Sequence, residues 1–157
     1  MTAETLTGTR AARTLPVSSH GLAGTLRTAY GSYSVAANVE DGDIFEMCIL
    51  PAGAIVVGGQ FWCTDMDTNA TETLDLDVGY AANGVEAAAP TAFVNSGVLV
   101  GDGITELVPA GANLRLFNMA AGAVSLSAET VIQVEANAAA ATFAAGTMFV
   151  RVDYVMN

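Results

Sequence analysis

The sequence has no lysine and a single histidine, His20, and each absence removes a class of chemistry. Without lysine there is no Schiff base and no phosphate-holding ammonium. A nucleophile–histidine–acid arrangement would have to be built on His20. That residue lies in a polar leading segment with no apolar periodicity to hold it in place. Two cysteines and one histidine cannot supply the four ligands of a structural zinc site within one chain. The glycines sit in turn-like clusters, not between a strand and a helix as a phosphate-cradling loop requires. Long apolar runs are missing as well. No stretch reaches the roughly 18 residues of a membrane-spanning helix, and the first thirty residues lack the apolar block of a secretory signal. The expectation is a chain with no catalytic residues, no cofactor, no metal and no membrane partner.

What remains is 157 residues, 52% of them hydrophobic, enough for one globular domain with its own core. Five arginines stand against 16 acidic residues, a formal net charge of −11. The charge is unevenly divided. Residues 1–27 hold Arg10, Arg13 and Arg27 against Glu4, a net +2, while residues 28–157 hold two arginines against fifteen acids, a net −13. So acidic a body repels phosphate backbones, and no nucleic-acid partner is expected. The division at residue 27 predicts an extended N-terminal arm, 1–27, ahead of a folded domain, 28–157. A plain polar tail is the simpler reading of such a segment. The sign difference favours an arm that docks on an acidic surface, such as a neighbouring copy. Arg10, Arg13 and Arg27 would then supply charge, and Leu15, Pro16 and Val17 apolar contact, with Pro16 keeping Leu15 extended.

Hydrophobic periodicity points to strands. Leu74, Leu76, Val78 and Tyr80 alternate with Thr73, Asp75, Asp77 and Gly79, which predicts a half-buried strand with a solvated acidic face. Met148, Val150, Val152 and Tyr154 alternate with Arg151 and Asp153 in the same way. Further strands are expected over 26–37, 43–50, 54–64, 113–118 and 129–135, with a bulge or bend at Gly58-Gly59. Thr91–Asn95 reads as a short helical turn, and Ala138–Ala141, despite the helix propensity of alanine, as a loop or an extended lead-in to the last strand. Turn signals at 40–43, 51–53, 101–103 and 109–111 separate these segments, so the fold class is all-β, an antiparallel β-sandwich or barrel. The corner Leu50-Pro51-Ala52-Gly53-Ala54 is echoed by Val108-Pro109-Ala110-Gly111-Ala112, because proline ends ladder pairing and glycine permits the turn.

Three local features need a reading of their own. Cys48 and Cys63 flank the corner at Ala52 asymmetrically, so a hairpin there would not bring them together, and both are expected as free, buried thiols in a reducing compartment. Asp65-Met66-Asp67-Thr68-Asn69 begins like a calcium loop. It departs from the EF-hand at Ala70 and Leu76, where a glycine and a bidentate glutamate belong, and an acidic hairpin tip is the simpler account. Phe61-Trp62 would be a sugar-stacking platform only if Trp62 stood exposed beside other aromatic rings; otherwise it is core.

Asp43-Ile44-Phe45-Glu46-Met47-Cys48-Ile49-Leu50-Pro51-Ala52-Gly53-Ala54, the pair Gly58-Gly59, the loop Asp65–Asn69, the strand Thr73–Tyr80 and the closing Ala145–Tyr154 together resemble a family. It is the head decoration, or cement, proteins of tailed bacteriophages, and the resemblance covers about residues 28–157. It implies a jelly-roll-like sandwich on the outer capsid surface, assembled in the host cytoplasm, with the major capsid protein and copies of itself as partners. A homotrimer is favoured over a dimer. A tail-tube or head-fibre subunit, or a carbohydrate- or calcium-binding sandwich, would share many of these features.

Overall fold

The computed structural model describes residues 25–94, the backbone of 103–106, and residues 124–156. Among the described residues the regular structure is all strand. The strands are β1 (Arg27–Val35), β2 (Ile44–Leu50), β3 (Ala54–Cys63), β4 (Asp75–Tyr80), β5 (Ala89–Val94), β6 (Gly103–Glu106), β7 (Val124–Ser125), β8 (Thr130–Ala138) and β9 (Gly146–Met156). They form two antiparallel sheets, one ordered β1-β9-β3-β6 with β7 also on β3, the other β2-β8-β4-β5.

Those orders have a simple origin. Leaving aside the two-residue β7, first pairs with last (β1·β9), second with next-to-last (β2·β8), third with sixth (β3·β6) and fourth with fifth (β4·β5), all antiparallel. The chain is thus one long antiparallel ribbon, rolled so that alternate rungs fall in opposite sheets. That is a jelly roll.

Period-two alternation builds its core. Leu74, Leu76 and Val78 from one sheet meet Met148, Val150 and Val152 from the other, all buried, with Phe61, Leu50, Leu126 and Ile132 between them. Tyr80 and Tyr154 are half-buried at the rim and pack against the same cluster. Two bulges shift this alternation. In β3 the register with β9 slips between Val56 and Gly58, at the expected double glycine, and so Val56 and Phe61, five residues apart, both point inward. In β2 the slip between Glu46 and Cys48 does the reverse and turns both Ile44 and Ile49 outward.

The structure corrects three expectations. Thr91–Val94 belongs to strand β5 and is not a helical turn; Phe93 and Val94 are buried, and Val94 pairs with Val78. β8 runs on to Ala138, because pairing with β4 and burial of Ala136 outweigh the helix propensity of alanine. The acidic face of β4 is solvated only at its start, where Thr73 is exposed and Asp75 half-buried. Asp77 is buried and accepts a hydrogen bond from Asn137 Nδ2. Gly79, next on that face, has the backbone of Ala89 and Pro90 where a Cβ would stand, so the chain entering β5 covers it. The expected strand at 113–118, the corner at 109–111 and the turn at 101–102 lie outside the described residues.

Candidate interaction surface

Among the described residues each sheet ends in strands paired on one side only, and two of these edges lie side by side. β1 pairs only with β9 and β2 only with β8 among the described residues, and the two strands run along one flank of the sandwich. The approach is close: a Cβ on Gly31 of β1 would collide with the backbone carbonyl of Met47 in β2. Tyr33 and Phe45 close the seam with ring centroids 5.2 Å apart.

This seam is where the apolar surface collects. Tyr30 is 71% exposed, Ile49 58%, Ile44 55% and Tyr33 46%, with Leu26 just before β1. Isolated apolar residues are ordinary on a surface, but a contiguous group beside two strand edges that are open among the described residues is the kind of surface protein partners use. Two open grooves run along it, one between Tyr30 and Ile49, the other between Tyr33 and Ile44, and Glu46 lines both while Asp43 lines the second. Cys48 lines the first groove, half-buried, and burial pushes its thiol up to about 11, so it stays protonated and unreactive at neutral pH. Cys63 is buried in the opposite sheet, and neither cysteine is in a disulfide.

Around the corner, on the outer face of the β1-β9-β3 sheet, three aromatic rings form a row. Tyr30 and Phe149 stack with centroids 6.1 Å apart and planes 12° apart, and half-buried Trp62 pairs in register with Phe149. Phe61 points the other way, into the core. Beside the row, Arg151 Nη2 lies 3.2 Å from Asp153 Oδ2, and Thr28 Oγ1 donates to Asp153 Oδ1 at 2.9 Å.

The acidic loop after β3 is organised around Asp67. The backbone N–H groups of Thr73, Leu74 and Ala141 donate to Asp67 Oδ2 at 2.7, 3.2 and 2.9 Å, and those of Thr142 and Asn69 to Oδ1 at 2.9 and 3.3 Å. Burial alone would raise this carboxyl. The N–H groups of Thr73, Thr142, Ala141 and Leu74 overcome that and hold it well below the usual carboxylate range. Asp65 Oδ1 and Asn69 Oδ1 accept from the N–H groups of Asp67 and Thr71. Among the described residues no group of three acidic, histidine or cysteine side chains is placed to hold a metal ion.

Of the predicted interaction residues, Arg27 is the exposed first residue of β1, paired in register with Tyr154. Arg10, Arg13, Leu15, Pro16 and Val17 lie outside the described residues. The seam residues were not singled out from the sequence, although a signal existed. Tyr30 and Tyr33 stand three apart and cannot both face inward in an unbroken strand, and Phe149 and Trp62 are out of phase with their buried neighbours.

No protein-family model and no curated protein matches the chain. Solved structures do. One chain of the cyanophage Pam1 capsid asymmetric unit is 24% identical, with 91% of this chain and 93% of that one covered at a TM-score of 0.64. A chain of the capsid of Ralstonia phage GP4 is 20% identical, with 93% and 92% covered at a TM-score of 0.67. Both belong to bacteriophage capsids. At these identities the likeness is one of fold, and it extends over nearly the whole of each chain.

Proposed function

We propose that this chain is a non-enzymatic virion structural protein, a decoration or cement protein that sits on the outer surface of a phage head and bridges major capsid subunits as a homotrimer. The observation that carries this reading is the jelly roll it shares, across more than nine-tenths of each chain, with chains of two phage capsid structures. The β1–β2 seam supports it physically, since two edges open among the described residues and a row of exposed apolar side chains are what a multi-contact adhesive subunit needs. The arm, residues 1–27, anchors the subunit on its neighbours through Arg10, Arg13, Leu15, Pro16 and Val17, with Arg27 at its root as the first residue of β1. Exposed ion pairs contribute only about 0–1 kcal/mol each, so occupancy comes from apolar area and backbone pairing multiplied over many copies.

The test is a chain beginning at Thr25, which leaves β1 whole. It is expected to fold, to melt near the temperature of the full chain, and to lose its place on the particle in an occupancy measurement. The detached full chain is expected to sediment as a trimer. A shortened chain that decorates particles as fully as the intact one would sink this reading, as would a stable monomer.

The aromatic row Tyr30–Phe149–Trp62 favours one second reading, a sugar-stacking face. It requires retention of the protein on an immobilised polysaccharide, and loss of that retention in Phe149→Ala. The cement reading requires no retention by either protein.

A further inference from the structure

We propose that the β1–β2 seam is the receptor for residues 1–24 of a second copy of this chain. The inference rests on the cement-protein reading above and specifies where its arm binds. The seam combines two strand edges that are open among the described residues with the exposed side chains of Tyr30, Tyr33, Ile44 and Ile49, a template for an added extended segment.

Charge identifies the occupant. Asp43 and Glu46 line the grooves, and the only cations among the described residues are Arg27 and Arg151, of which Arg151 pairs with Asp153. The sequence's other arginines are Arg10, Arg13 and Arg115. Two of these three fall in residues 1–24, where they face only Glu4. Bodies with a net charge of −13 repel one another at close range, so a basic segment laid across an acidic neighbour offsets the repulsion that packing side by side creates.

Length fits as well. β1 has nine residues and spans about 30 Å, whereas 24 extended residues reach about 80 Å. A segment can therefore cross from one copy and still run the length of the next copy's seam. In this arrangement Leu15 and Val17 cover the apolar side chains and Arg10 and Arg13 meet Glu46 and Asp43.

The experiment is charge exchange between copies of the full-length protein, read by sedimentation across the micromolar range. Glu46→Arg on the seam, and Arg10→Glu with Arg13→Glu on the arm, are each expected to weaken self-association about tenfold. An equimolar mixture of the two proteins is expected to recover part of the association, because a reversed arm meets a reversed seam wherever unlike copies adjoin, and a ring of three keeps one like pair. Asp43→Arg repeats the seam test at a second position, and unchanged melting of each variant confirms that folding is not the cause. Three outcomes overturn the proposal: full association by both single-side variants, a mixture that stays dissociated while the three substitutions in one chain restore association, or a full chain that is monomeric throughout. If the Thr25 truncation empties the particle while Glu46→Arg associates normally, the arm binds a different surface and the cement reading stands. If the truncation leaves occupancy intact, that reading fails by itself.

Discussion

Asp67→Ala is expected to cost the folded chain about 3–4 kcal/mol, seen as a lower urea midpoint at pH 7. Five backbone N–H groups, from Asn69, Thr73, Leu74, Ala141 and Thr142, converge on this one buried carboxylate. Removing it leaves several donors without a partner where water has little access. Both oxygens accept, so Asp67→Asn is not conservative either; its amide NH2 would point donors at donors. The loss reaches beyond the loop, because the same carboxylate ties residues 67–74 to 141–142 and so aligns β4 with the approach to β9. A midpoint within experimental error of the unsubstituted protein would remove Asp67 from this role.

The acid dependence follows with a definite sign. The folded-state carboxyl is held below its unfolded value by the N–H groups that outweigh its burial. Its contribution is therefore complete above the unfolded value near pH 4, and is lost as pH falls from there through the lower folded value. The difference in stability between the unsubstituted protein and Asp67→Ala should be constant from pH 7 to about 5 and shrink below pH 4. A gap that stays constant down to pH 2 would mean that the carboxylate is not what the N–H groups stabilise.

Gly31→Ala is expected to destabilise by about 3 kcal/mol, more than its single methyl group suggests. Its Cβ would meet the Met47 carbonyl, which is backbone and cannot rotate away, so β1 and β2 would have to separate along the seam. Gly58→Ala is the control. A Cβ there meets nothing within 4 Å, and the change in stability is expected to stay within about 1 kcal/mol. Equal melting temperatures for the two variants would show that the two edges do not approach as closely as described. Because Gly31 lies in the seam, a folded but less stable Gly31→Ala chain should also associate more weakly than Gly58→Ala.

Much of this architecture is legible in the order of the residues. Leu74, Leu76 and Val78, and Met148, Val150 and Val152, announce strands and their inner faces, because strand side chains alternate and the core rewards one phase. Gly58-Gly59 announced the bulge in β3, and the acidic residues among turn formers announced surface loops. The β2 bulge carries no such glycine signal, and it alone turns Ile44 and Ile49 to the same outer face. Asp67 reads most simply as part of an exposed acidic hairpin tip, whereas it is buried. Its real partners, Ala141 and Thr142, lie more than seventy residues away, and only the rolled ribbon brings their N–H groups to it. Asp77 was expected to be wet for the same reason, since nothing in an alternating strand tells which neighbour will fold across its outer face. Local periodicity thus determined that the chain forms strands, which side of each is apolar, and that the fold is all-β. Pairing between distant strands decided which edges stay open, which carboxylates are buried, and where exposed aromatic and apolar side chains gather, because those depend on contacts that no short stretch of sequence contains.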